Sequence, residues 1–427
     1  MDDRSAIPDR EPHGGFELVD IRLPVAATFA ALIAGLALGV VLAGGVPQGM
    51  QDFVALIGQL WLRGLQMTII PLVASLLVLG IAQMIMAARA GTAAIKFLVI
   101  VFAVLIAGGV FTAIAMPLLL QIAPIPAAAS GFLADVPQGE QVVPGILDFA
   151  ASLIAPNIIA AAAETTMLPL TIFFALFAVA IARLPRGQKA SLLGFFHAIA
   201  NAMLMIIGWV LWVAPLGVFA LAFGVGLRSG GGAFAALGHY ILVVSAMGAF
   251  VLVLAYALAW ALGGIGPLRF ARALIPSQAV AISTQSSLAS LPAMLDSANR
   301  LRIRSETSEF VLPLAVAVFR ATSVAMNMAV ALYVAALAGV EVPISLLVVG
   351  ILVAVIISVG SVSLPGSISF VVSIGPIALA MGIPIEPLAL LVAVEMLPDI
   401  MRTLANVTMN VAVTSAVDRG AEAPTEV

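Results

Sequence analysis

Ile275-Pro276-Ser277-Gln278-Ala279-Val280-Ala281-Ile282-Ser283-Thr284-Gln285-Ser286-Ser287-Leu288-Ala289-Ser290-Leu291-Pro292 interrupts a chain that is otherwise a succession of apolar runs, and how it meets a membrane decides the fold. Arg269 and Arg272 precede it, and Arg300, Arg302 and Arg304 follow. A single span from Ile275 to Asn299 would place one of these basic clusters outside, against the positive-inside tendency. A re-entrant hairpin over about 268–300 keeps both clusters on the cytoplasmic side. A second stretch, Ser358-Val359-Gly360-Ser361-Val362-Ser363-Leu364-Pro365-Gly366-Ser367, lies within Val342–Gly382, between Glu341 and Glu386. It reads as a hairpin over about 343–378 that enters from the opposite face. Irregular backbone at membrane depth is tolerated only where protein buries it or a watery cavity wets it, so the two tips mark a site. Hairpin followed by helix, twice and in opposite orientation, is the inverted-repeat plan of secondary transporters.

Working outward, the composition agrees. Of 427 residues, 63% are hydrophobic and 9% charged, with a mean hydropathy of +1.21, too few ions to cover a soluble surface. A net charge of −3 gives no support for nucleic-acid binding. Cys is absent and three scattered His form no ligand cluster, so neither a metal centre nor a cofactor is expected. Apolar runs long enough for about 30 Å of hydrocarbon fall at roughly 23–44, 52–86, 94–121, 151–183, 191–226, 234–264, 308–340 and 385–416. The expected fold is therefore an all-α membrane protein with eight transmembrane helices and two re-entrant hairpins. Runs well beyond about 20 residues imply tilt or breaks. Residues 1–21 read as a cytoplasmic tail, 22–416 as the membrane domain and 417–427 as a second cytoplasmic tail. Arg89, Lys96, Arg183, Arg186 and Lys189 then lie on the cytoplasmic side of an inner membrane, and Asp135, Glu140 and Asp148 on the outer side.

Ionisable groups inside a bilayer are costly and mark function by default. In the last run, Asp399, Arg402, Thr403, Asn406 and Asn410 share one helical face. Pro398 removes a backbone hydrogen bond just before them, which is expected to free a carbonyl at that depth. An Arg fork holds a carboxylate bidentately, and an Asp three residues away suits an ammonium, which together describe an acidic amino acid. In the other reading the two side chains simply neutralise each other. Arg320, in the preceding long run, is open to a salt bridge with Glu395 or Asp399. Glu164 reads as a loop residue.

These residues also carry a family resemblance. Over about residues 22–416 the chain resembles the dicarboxylate/amino acid:cation symporters. Ala155-Pro156-Asn157, Leu168-Pro169-Leu170-Thr171-Ile172-Phe173-Phe174, Ala214-Pro215-Leu216-Gly217-Val218-Phe219-Ala220 and Phe310-Val311-Leu312-Pro313-Leu314 look like family signatures. Ser286-Ser287 with Leu291-Pro292 resembles the first hairpin tip, and Leu364-Pro365-Gly366 the second. The resemblance implies a homotrimer of elevator-type protomers carrying a small anionic substrate. It implies that Ser287, Ser323, Asp399, Arg402, Thr403 and Asn406 bind that substrate. Ser286 lies beside Ser287, and backbone near Gln285, Ser363 and Leu364 closes over the site. In the family the Arg reads the distal carboxylate and the Asp the amino group. Glutamate or aspartate is therefore expected over a C4-dicarboxylate, and Arg402 disfavours neutral amino acids.

The departures concern cations. Where the family's seventh helix carries Asn-Met-Asp-Gly-Thr, this chain has Phe319-Arg320-Ala321-Thr322-Ser323. Asn410 stands where the family has a cation-binding Asp, and Val101, Val104 and Leu105 replace polar residues of a third-helix sodium site. What remains is a backbone-dominated site near Ser358, Val359 and Ser361, with Asn406 and Asn410 as side-chain candidates. Arg320 replaces a Met near that site and is a candidate tethered cation. Sodium coupling is then expected to be weak or absent, leaving proton coupling through Glu395 or Asp399, exchange, or facilitated flux. An intramembrane enzyme is disfavoured by the lack of HExxH and of any Cys nucleophile. A sensor on the same fold predicts binding without flux.

Overall fold

The structure is a computed structural model that describes residues 24–89, 91–126, 151, 153–229, 232–360 and 366–419. The two tails, the acidic loop with Asp135, Glu140 and Asp148, and the second hairpin tip with Ser361, Ser363 and Leu364 lie outside the described residues. Among the described residues the chain is helical, with no strand. In order come α1 (Val25–Val41), α2 (Gln48–Gln66), α3 (Ile69–Ala88), α4 (Thr92–Ile122), α5 (Ile158–Ala163), α6 (Met167–Ala182), α7 (Arg186–Trp212), α8 (Ala214–Ser229) and α9 (Gly232–Ala261). They are followed by α10 (Pro267–Thr284), α11 (Leu291–Arg300), α12 (Ser305–Val318), α13 (Ser323–Leu337), α14 (Ile344–Gly360), α15 (Gly366–Ala380), α16 (Leu388–Leu391) and α17 (Met396–Asp418).

The overlong apolar runs are broken. Thr165, at φ 58°, turns the chain between α5 and α6. Val213 separates α7 from α8, two residues before Pro215, whose missing N–H suits a first helical turn. Phe319, extended at φ −119° and ψ 117°, ends α12, and the chain re-enters a helix only at Ser323. Among the described residues, five helical stretches are long and apolar enough to cross a membrane, namely Gln48–Ala88, Thr92–Ile122, Arg186–Trp212, Phe234–Ala261 and Ser305–Leu337. The last is 83% buried inside the protein and Arg186–Trp212 only 28%. One is thus a core element, and the other lies largely on the outside of the chain.

At the periphery α1 lies on α8 at backbone contact. A Cβ at Gly39 would stand 2.4 Å from the Phe223 carbonyl oxygen, and one at Gly226 2.5 Å from that of Leu36. Small residues drive such packing in lipid, where no hydrophobic force pulls helices together. At the centre α17 touches α4, α9, α10, α11, α12 and α15 and is buried almost all round from Ala405 to Val417. Lys96 Nζ donates to the Ala416 and Val417 carbonyls at the end of α17, and Arg304 Nε pairs with Asp418 at 2.8 Å. A cation at a helix C-terminus meets the orphan carbonyls and the dipole together.

Both hairpins are helix pairs. α10 packs on α11, and α14 on α15. Gln285, left-handed at φ 50°, ends α10. Ser286 then orders the turn: its Oγ accepts from Ala289 N at 3.2 Å, and its carbonyl accepts from Ser290 Oγ at 2.8 Å.

Candidate functional site

α17 begins with a stripe of polar groups. Glu395 is its N-cap residue, and Asp399, Arg402 and Asn406 follow at intervals of four, three and four, so all project from one side. Pro398 does not free a carbonyl, contrary to the expectation above. It sits in the first turn of α17, where its N–H would be unpaired in any case, and Val394 O accepts from Leu397 N at 3.0 Å.

The Arg402 guanidinium uses all three nitrogens. Nη2 donates to Glu395 Oε1 at 2.6 Å, Nη1 to Asn327 Oδ1 at 3.0 Å, and Nε lies 3.4 Å from Asp399 Oδ1. Glu395 is 1% exposed, Asp399 7% and Arg402 9%. The second oxygen of Glu395 accepts from the buried Tyr240 hydroxyl on α9 at 3.1 Å. Asn327 Nδ2 donates to Ser323 Oγ at 3.2 Å, which ties the first turn of α13 to the same group. Arg320, half-buried in the break between α12 and α13, lies within electrostatic reach of Asp399 and Arg402. Two carboxylates therefore stand with two guanidiniums, and formal charge cancels inside the protein.

Asn406 holds the break open. Its Oδ1 accepts from Thr322 N at 2.9 Å and from Thr322 Oγ1 at 3.0 Å, satisfying the amide that opens α13. Thr403 is buried on the same helix. Ser286 and Ser287, half-buried, lie in the tip of a hairpin whose two arms both pack on α17. Further along, Asn410 Nδ2 and Oδ1, Ser358 Oγ and Thr112 Oγ1 are buried without a hydrogen-bond partner among the described residues. Val359 beside Ser358 is buried too. Thr112, Tyr240 and the pairing of Arg402 with Glu395 had given no signal, whereas Asn327 and Glu395 as polar positions each carried a local one. Asn327 is a lone amide in a long apolar run, and Glu395 extends the spacing of the stripe by one turn.

A polytopic all-α bundle with two helical hairpins and a self-neutralised charge cluster on its central helix defines a carrier of the elevator class. The chain belongs to the sodium:dicarboxylate symporter family, whose model matches residues 25–420, and it is a multi-pass secondary transporter. It is 27% identical over 393 residues to a proton/sodium-glutamate symport protein of Bacillus subtilis (strain 168), covering 90% of this chain and 89% of that one. It is also 29% identical over 429 residues to neutral amino acid transporter B(0) of Homo sapiens, covering 90% of this chain and 78% of that one. To the proton/glutamate-aspartate symporter of Escherichia coli (strain K12) it is 27% identical over 361 residues, covering 83% and 82%.

Proposed function

We propose that the protein moves an acidic amino acid such as glutamate or aspartate, or a C4-dicarboxylate, across the inner membrane, driven by protons or by counter-substrate, with sodium coupling weak or absent. The observation that carries this reading is the buried Arg402 fork beside Asp399 on the central helix. Arg402 receives the distal carboxylate, Asp399 the amino group, and Thr403, Asn406, Ser323, Ser286 and Ser287 supply the polar surround. Gln285 ends the first arm of the first hairpin, and Ser363 and Leu364, which lie outside the described residues, are assigned to the second tip by the resemblance. Of the relatives, the Escherichia coli one is named for protons and glutamate-aspartate, the Bacillus subtilis one for glutamate with protons and sodium, and the human one for neutral amino acids. Homotrimeric assembly and cytoplasmic termini belong to the same reading.

A second reading rests on Arg320, whose guanidinium stands near Asp399, where a bound cation would otherwise supply charge. A permanent charge there suits an exchanger or facilitator, and a sensor would bind without flux. Uptake of labelled aspartate, glutamate, succinate and serine into proteoliposomes, under separately imposed sodium and proton gradients, tests all of these. Proton-driven accumulation of acidic substrates, indifferent to replacing sodium with choline, is the expected result. Sodium-driven accumulation would overturn it, flux only against internal substrate would select the exchanger, and binding without flux the sensor.

A further inference from the structure

We propose that Glu395 takes up one proton each time an anionic substrate binds, with Tyr240 as the positioning residue that keeps the protonated carboxyl hydrogen-bonded. The inference rests on the acidic-substrate reading above and adds which group carries the proton.

The first step is charge. Glu395, Asp399, Arg402 and Arg320 sum to zero in a region where Glu395 is 1% exposed. An acidic amino acid brings one net negative charge. Closing a low-dielectric site over that charge is costly unless a cation arrives with it or a carboxylate is neutralised.

The second step is which carboxylate accepts the proton. Asp399 faces Arg402 Nε and, at longer range, the Arg320 guanidinium. Guanidiniums only donate, so a protonated Asp399 would aim its O–H at donors. Glu395 faces one guanidinium through Oε1 and a phenol through Oε2. A phenol both donates and accepts. When Glu395 gains a proton on Oε2, Tyr240 changes from donor to acceptor, and the pair stays hydrogen-bonded in both states. Arg402 keeps Asn327 and Asp399 as partners, and its charge becomes available to the incoming carboxylate. The proton comes from water on the side of substrate entry, and no other bond is made or broken. The remaining groups close to this pair are Tyr333, stacked edge-on against Tyr240 at 5.3 Å, and His239, 3.2 Å from the Tyr333 hydroxyl. Their hydrogen bonds run elsewhere, from the Tyr333 hydroxyl to the Ala236 carbonyl and between His239 Nε2 and the Ala123 carbonyl.

The test is proton uptake by the purified protein in weakly buffered detergent solution, read with a pH dye as aspartate is added, alongside aspartate affinity across pH. For wild type we expect about one proton per aspartate bound, and affinity that tightens about tenfold per pH unit lowered wherever free Glu395 is ionised. Glu395→Gln, which still accepts from Arg402 and donates to Tyr240, should bind aspartate with pH-independent affinity and take up no proton. Tyr240→Phe should keep uptake but shift its pH range. Wild-type pH dependence in Glu395→Gln, or aspartate binding to wild type without proton uptake, overturns the inference. Failure of wild type to bind any acidic substrate at any pH would instead overturn the reading on which it rests.

Discussion

Along α17, Glu395, Asp399, Arg402 and Asn406 each hold a partner, whereas Asn410, one turn beyond Asn406, has neither amide atom paired among the described residues. Both regions are buried and both are polar. The difference is charge: ions out of water require partners at close range, while a neutral amide costs less when left alone. The first region is thus built as a closed electrostatic unit, in which losing one member strands the others. In the second, the amide can be lost with little consequence. Asn410 accordingly stands by itself, while Arg402 holds two carboxylates and an amide.

The largest expected effect comes from breaking the unit at its hub. Arg402→Ala leaves Glu395 with the Tyr240 hydroxyl and Asp399 with Arg320 at longer range, and removal of one partner of a buried pair costs about 3–5 kcal/mol. A large drop in the thermal unfolding midpoint in detergent should accompany the loss of aspartate binding. Arg402→Lys should restore part of the stability and little of the binding, because an ammonium is not a planar fork. Wild-type binding in Arg402→Ala would remove the cluster from consideration as a substrate site.

A smaller effect is expected at Asn406, which bridges the charged unit to the break before α13. Asn406→Leu strands Thr322 N and Oγ1 in a buried turn, at a cost of about 2 kcal/mol. Hydrogen exchange should quicken first at Thr322, before any change in α17. Unchanged exchange there would mean that the break is held by tertiary packing and not by this cap.

These contacts also mark the limit of what the sequence discloses. The basic clusters around Ile275–Asn299 and the polar tips were enough for the hairpins, because charge placement across a membrane has few solutions. Spacing alone put Asp399, Arg402, Thr403, Asn406 and Asn410 on one face. Which carboxylate would hold Arg402 was not legible, because Glu395 precedes α17 as its N-cap and Pro398 looked like a break before the stripe instead of its first turn. Tyr240 and Asn327 come from helices 155 and 75 residues away in the chain from the groups they bond. Their meeting depends on how α9 and α13 pack against α17, which no local pattern encodes.

The smallest expected effect is the sharpest test of the contrast. Asn410→Leu makes the same side-chain change as Asn406→Leu, so the volume term is shared and the difference isolates hydrogen bonding. With both amide atoms unpaired, replacing them by apolar branches of the same shape should cost less than about 1 kcal/mol, and the unfolding midpoint should stay close to wild type. Repeating the pair of measurements in sodium and in choline extends the test. Anything that binds only the folded protein raises its apparent stability. A sodium-dependent rise that disappears in Asn410→Leu would therefore mean that this amide serves a cation, and that the two regions differ in their ligands and not in their need for partners. A midpoint indifferent to sodium in both proteins would leave the charged unit as the polar region of α17 that binding acts upon.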